Sequence, residues 1–171
     1  MKTLSKLINE KLEFKGATLY DYFIGALCEE YLAWYFYTIF GNFLVGKERP
    51  SIEKFFKETA EDELEDHAEW LLKRMDELDM SCEDIHDFSK LNDFAFHPYN
   101  PPTSKNGKLD TKDAILKAIS MEKEAIETYK AFEIFTRDND PVTNKKVKNI
   151  LADEEEHLAE LTNFLEDIEN K

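Results

Sequence analysis

Apolar residues recur at alternating three- and four-residue steps through four long stretches, the pattern of amphipathic helices. The pattern predicts helices over 17–46, 51–79, 112–137 and 141–169. Thr18 with Asp21 three residues on is a capping-box pattern that opens the first, and Gly46 closes it. Pro50 and Ser51 open the second, with Ser51 as its cap. Thr111 or Asp110 caps the third, and Pro141 stands near the first turn of the fourth. Residues 1–16 form a separate lead carrying Lys2, Lys6, Lys11 and Lys15. The connection between the second and third helices covers residues 80–110, whereas the other two are short. Ser81–Leu91 reads as a short helix within it, and His97 to Gly107 as extended chain. His86 and His97 are expected at the surface. Short loops join antiparallel neighbours, while a long one lets the second and third helices run parallel. A helix of about 27 residues is roughly 40 Å long, and about thirty residues of connection cover that span. The expected architecture is an all-α four-helix bundle over 17–171, with a long crossover between helices two and three.

Each apolar stripe is interrupted near its middle. Glu30 stands between Leu27 and Trp34, and Glu122 between Ile119 and Ile126. Glu63 and His67 stand between Ala60 and Leu71, and Glu154 and His157 between Ile150 and Leu161. A buried ionised carboxylate costs several kcal/mol unless it is neutralised. No stripe carries a Lys or Arg to do so. Two divalent cations would supply the charge, and two imidazoles would complete their coordination. The predicted site is a dinuclear metal centre bound by Glu30, Glu63, His67, Glu122, Glu154 and His157. The halves also match: Tyr37 follows Glu30 by seven residues, as Tyr129 follows Glu122. Both tyrosines read as lining the core, or as hydrogen-bond partners or electron donors behind the metals. Glu63 lies four residues before His67, where Glu154 lies three before His157. On an α-helix both spacings share a face, and a π-bulge near Glu65 and Asp66 would realign the first. Asp66 and Asp62 are the alternative ligands there.

Composition narrows the classes. With Gly 5 and Pro 5 in 171 residues, a many-turned β fold is disfavoured. The hydrophobic fraction of 42% excludes bulk disorder. The longest apolar run, Tyr31 to Tyr37, is far short of a membrane span, and the N-terminal residues carry no secretory signal pattern. Cys28 and Cys82 make no disulfide framework or zinc cluster and suit a reducing cytoplasm; Cys28 reads as a small core residue. A net charge of −15 opposes nucleic acid and favours cations.

These residues resemble the ferritin-like superfamily, whose pattern is one Glu from each of two helices and Glu-x-x-His from each of the other two. Glu154-Glu155-Glu156-His157 matches as it stands, and Glu30 and Glu122 match the single-carboxylate positions. The symmetric two-histidine set is similar to bacterioferritin, and Glu30–Gly46, Asp84–Leu91 and the long connection are similar to the Dps-like branch. The resemblance implies a ferroxidase with two iron ions per subunit, Fe2+ and H2O2 or O2 as substrates, and ferric mineral stored in a homo-oligomeric cage. A dodecamer is expected, since no further C-terminal helix is evident before Lys171. Glu65 stands where bacterioferritin has its haem-ligating Met, so no haem is expected, and 121–126 lacks the cysteine pair frequent in Dps-like proteins. The alternative is a non-cage di-iron peroxidase or oxidase of rubrerythrin type, though the chain has no Cys-x-x-Cys pair for a rubredoxin-like domain. DNA compaction is a further alternative that the net charge opposes.

Overall fold

The computed structural model describes residues 16–170. Apart from Gly16, the lead predicted over 1–16 lies outside the described residues. Helix α1 spans Leu19–Phe43. Thr18 caps it as predicted: its hydroxyl accepts from the Asp21 N–H, and the Asp21 carboxylate accepts from the Thr18 N–H at 2.6 Å. The helix ends earlier than Gly46 and passes into a two-residue strand, β1 (Leu44–Val45). Gly46 then turns the chain with φ +132°, a conformation that costs glycine little.

The second long rod is three helical pieces in continuous succession. Helix α2 (Arg49–Glu61) runs into a π-helical segment (Asp62–Ala68) and then into α3 (Glu69–Glu77). Ser51 does not cap it. The helix begins two residues earlier, with Pro50 in the first turn, where its missing N–H is no loss.

The helix predicted over Ser81–Leu91 does not form as one unit. The Ser81 hydroxyl accepts from the Glu83 N–H and the Asp87 carboxylate accepts from the Ser89 N–H, and these local bonds compete with helix. A 3₁₀ turn (Phe88–Lys90) and a short helix α4 (Leu91–Phe94) take its place. His86 is exposed, as expected. His97 is half-buried: its backbone N–H donates to Glu29 Oε1 at 2.7 Å and its Nδ1 lies 3.0 Å from the same oxygen. Gly25 allows this seat, because a Cβ there would lie 2.4 Å from the Phe96 ring.

The chain then forms β2 (Leu109–Asp110), which pairs in parallel with β1, Leu44 opposite Leu109. Asp110, one of the two predicted caps, opens α5 (Thr111–Thr136) by accepting from the Lys112 N–H. Asp140 caps α6 (Pro141–Glu169). The strand pair fixes the topology. It joins the end of α1 to the start of α5, and α2 also starts beside it. The crossover therefore returns the chain to the same end of the bundle, and the second rod and α5 run parallel. This is the four-helix bundle with a long crossover that the loop lengths predict.

The core is divided. Phe23, Leu27, Leu71, Met75, Phe132 and Ile150 belong to one apolar cluster. Phe36, Ile52, Phe56, Ile115, Ile119 and Leu161 belong to a second. Cys28 is fully buried in the first, and burial pushes its thiol up to about 12. Among the described residues no helix is long and apolar enough to cross a membrane.

Candidate metal centre

Each of the four rods contributes carboxylate to a buried polar layer, and the structure brings all six predicted residues together. Glu30 (α1), Glu63 and His67 (the π segment), Glu122 (α5) and Glu154 (α6) are at most 2% exposed, and His157 is 7% exposed. They form two overlapping groups. Glu30, Glu63, His67 and Glu154 present ligand atoms within 4.8 Å of one another, and so do Glu63, Glu122, Glu154 and His157. Glu63 and Glu154 belong to both groups, so these two carboxylates would be shared if each group held an ion.

Both imidazoles turn Nδ1 inward. His67 Nδ1 lies 2.9 Å from Glu63, 3.4 Å from Glu154 and 3.5 Å from Glu30. His157 Nδ1 lies 3.5 Å from Glu154, 3.8 Å from Glu63 and 3.9 Å from Glu122. The π turn explains how Glu63 joins the set. Widening the helix across Asp62–Ala68 brings a residue four positions before His67 into the centre. Asp62 and Asp66, the alternative ligands, are exposed.

The tyrosines pair with the terminal carboxylates across the bundle. Tyr37 O–H donates to Glu122, and Tyr129 O–H donates to Glu30. Each donor comes from the helix opposite its acceptor, so the repeat read in the sequence is a crossed pair in space. Burial, then the neighbouring carboxylates, keeps both phenols protonated. Two aspartates approach the outer edges of the imidazoles. Asp153 lies 3.5 Å from His67 Nε2, and Asp62 lies 3.6 Å from His157 Nε2.

The protonation pattern follows from crowding. Burial and then the Glu154 charge push Glu63 and Glu122 well above the usual carboxylate range. Burial works against Glu154 too, but the imidazoles of His157 and His67, 3.5 and 3.4 Å away, hold its carboxyl below that range. Burial also works against His67 and His157, yet Glu30 raises the first and Glu154 the second. Protons on these groups do what cations would do. Both Glu154 carboxylate oxygens and His157 Nδ1 are buried without a hydrogen-bond partner. Such orphans are rare, and a metal ion between them would satisfy all three. No Lys or Arg is buried among the described residues to serve instead. The donor set therefore fits a pair of divalent cations.

A cleft of about 280 Å³ opens onto the histidine side between the second rod and α6. Glu58, Asp62, Asp66, Asp153, Glu156 and Glu160 line it, and no Lys or Arg does. Sequence reasoning missed Asp62 and Asp153 as neighbours of the histidines. The signal was present, since an Asp precedes each shared Glu. It also missed Glu29 with His97, which meet across 68 residues of chain.

Bundle and buried carboxylate layer together define a ferritin-like protein. The chain belongs to that family, whose ferritin-like domain matches residues 25–171. No curated protein matches it by sequence. Among solved structures, a dodecameric thioferritin, the bacterioferritin-related protein of Bacteroides fragilis, is 33% identical with a TM-score of 0.82, covering 96% of this chain and 93% of that one. A ferritin-like di-iron-carboxylate protein of Bacillus anthracis str. Ames is 22% identical with a TM-score of 0.67, covering 86% and 94%. Dps from Thermosynechococcus elongatus is 14% identical with a TM-score of 0.75, covering 95% of each chain. The last two show the shared fold.

Proposed function

We propose that this protein is a ferroxidase that stores iron and removes peroxide. Fe2+ is its substrate, bound as a pair by Glu30, Glu63, His67, Glu122, Glu154 and His157. The observation that carries the reading is the pair of overlapping ligand groups sharing Glu63 and Glu154. Two Fe2+ supply the two electrons that convert H2O2 and two protons into two waters, and O2 is the other candidate oxidant. A carboxylate-rich set favours a hard, highly charged ion such as Fe3+. The protein's part is to concentrate, orient and shelter. The acidic cleft draws cations toward the histidines. Tyr37 and Tyr129 hold the terminal carboxylates, and the two apolar clusters wall the centre from water.

The reading extends to the assembly. By analogy with the thioferritin, which its describers call dodecameric, the subunits form a twelve-membered shell that holds the ferric product. Both cysteines are free, which suits a cytoplasmic setting. No haem site is proposed, and the charge of −15 works against DNA as a partner.

The test is stopped-flow oxidation of Fe2+ by O2 and by H2O2, alongside native mass. Wild-type protein should oxidise Fe2+ far faster than buffer and behave as a dodecamer. Glu30→Ala and His157→Ala should remove the fast phase while keeping helical content. Fast oxidation in both variants would overturn the site assignment. A dimer with fast oxidation would instead support a non-cage di-iron peroxidase of rubrerythrin type.

A further inference from the structure

Away from the metal centre, a groove of about 530 Å³ runs between the first turns of α1 and the crossover. Tyr20, Asp21 and Ile24 line one side, and Asp84, Asp93 and Phe96 line the other. None of the six candidate ligands reaches it, and no Lys or Arg lines it. Its floor is apolar: Ile24 is buried, and Tyr20, Phe94 and Phe96 are half-buried. Its rim is acidic. Asp21 and Asp93 are exposed, and the half-buried Asp84 carboxylate accepts from the Tyr20 O–H at 2.9 Å.

The three carboxylates do not gather about one point. Among the described residues, only the two groups of the metal centre bring three or more possible ligands within 4.8 Å of one another. A single cation is therefore a poor occupant. An apolar floor under a spread acidic rim suits a segment with apolar side chains and spaced positive charges. Such a segment begins where the groove does. Gly16 is both the first described residue and part of the lining. Its φ of +90° costs glycine little and lets the chain arriving from residue 15 turn sharply. The preceding residues carry four lysines, Lys2, Lys6, Lys11 and Lys15, against two glutamates, Glu10 and Glu13, a side-chain charge of +2 on a chain of −15. Leu4, Leu7, Ile8, Leu12 and Phe14 stand among them. Fifteen residues extend at most about 50 Å, so length does not limit their reach.

We infer that residues 1–15 dock back into this groove of their own subunit, with apolar side chains on Tyr20, Phe94 and Phe96 and lysines against Asp21, Asp84 and Asp93. The docked lead straps the crossover to α1. It adds to two links already present there, the Tyr20–Asp84 hydrogen bond and the Phe96 ring seated against Gly25. The inference stands apart from the ferroxidase reading, because no candidate ligand takes part.

Zero-length carbodiimide coupling of the intact protein tests it, since that reagent joins a lysine amine to a carboxylate in contact with it. Peptide mapping of the monomer-mass band should find Lys6, Lys11 or Lys15 joined to Asp84 or Asp93, more than sixty residues further along the chain. Links from the lead spread over other acidic residues, or no link from the lead at all, would overturn the inference. Links to Asp84 or Asp93 found only in a dimer-mass band would place the lead on a second copy and overturn it too. Trypsin gives a second reading, because cleavage follows the undocked fraction when docking is fast. The double variant Asp84→Asn, Asp93→Asn neutralises the rim, and the new amide oxygen can still accept from Tyr20. It should speed cleavage after Lys11 and Lys15 about fivefold, and high salt should speed it in the parent. Glu83→Gln, outside the groove, should leave the rate unchanged. A lead cleaved as fast as a free peptide of the same sequence, at equal rates in parent and double variant, would contradict the inference.

Discussion

At the scale of single residues, the centre is a problem of charge in hydrocarbon. Glu30, Glu63, Glu122 and Glu154 were legible in the sequence because each breaks an apolar stripe where no Lys or Arg answers it. Their partners were less so. Tyr37 and Tyr129 were visible as a repeat, but their crossing to Glu122 and Glu30 is a fact of three dimensions. Glu29 and His97 gave no periodic signal at all, since one sits beside a stripe and the other in irregular chain. A ligand's hydrogen-bond partner sets its orientation and basicity, and its loss costs about 10–100-fold in metal affinity. Tyr37→Phe and Tyr129→Phe should each weaken Zn2+ binding by about tenfold or more without altering the fold. Calorimetric titration would measure it, and wild-type affinity in both variants would show that the phenols merely fill space.

At the scale of elements, caps and stripes placed the four rods closely, and local chemistry decided the exceptions. The Thr18 capping box and the Asp110 cap formed as read. Ser51 did not cap, because Pro50 is itself suited to the first turn. The crossover helix gave way to side-chain-to-backbone bonds from Ser81 and Asp87. The π segment is the most consequential element. It spans Asp62–Ala68 and carries two of the six candidate ligands. Its extra residue is why the second rod reads Glu-x-x-x-His while α6 reads Glu-x-x-His. Deleting Glu65 would convert the motif into the shorter spacing and let the segment close as α-helix. The variant should fold, show a thermal midpoint at or above that of the parent, and bind Zn2+ within about tenfold of it. Loss of binding in a folded variant would show that the π geometry itself is required.

At the scale of the whole molecule, the polar layer destabilises the metal-free bundle that it divides. Glu63 and Glu122 have raised pKa values in the folded state, so their contribution is fully present below the unfolded carboxylate value and lost as pH rises. His67 and His157 are also raised, and their contribution is likewise lost as pH rises from the unfolded histidine value through the folded one. Glu154 is lowered, so its contribution is complete above the ordinary carboxylate range and constant from there upward. The metal-free protein should therefore melt at lower temperature as pH climbs from about 5 to 8. Metal ions displace the same protons, so Zn2+ should stabilise the protein most at the upper end of that range. Melting curves with chelator and with Zn2+ check both signs, and parallel curves would show that the buried groups do not titrate with folding. The bundle topology was legible from loop lengths alone. The acidic cleft beside the histidines was not, because it arises only when the second rod and α6 converge.

The central claim is that the six side chains hold two metal ions inside each subunit. Anomalous diffraction at the iron edge, from crystals grown with Fe2+ under anaerobic conditions, measures this directly. The account predicts two peaks between Glu63 and Glu154, one beside Glu30 and His67 and the other beside Glu122 and His157. Crystals containing iron only at the protein surface, with the centre empty, would contradict it.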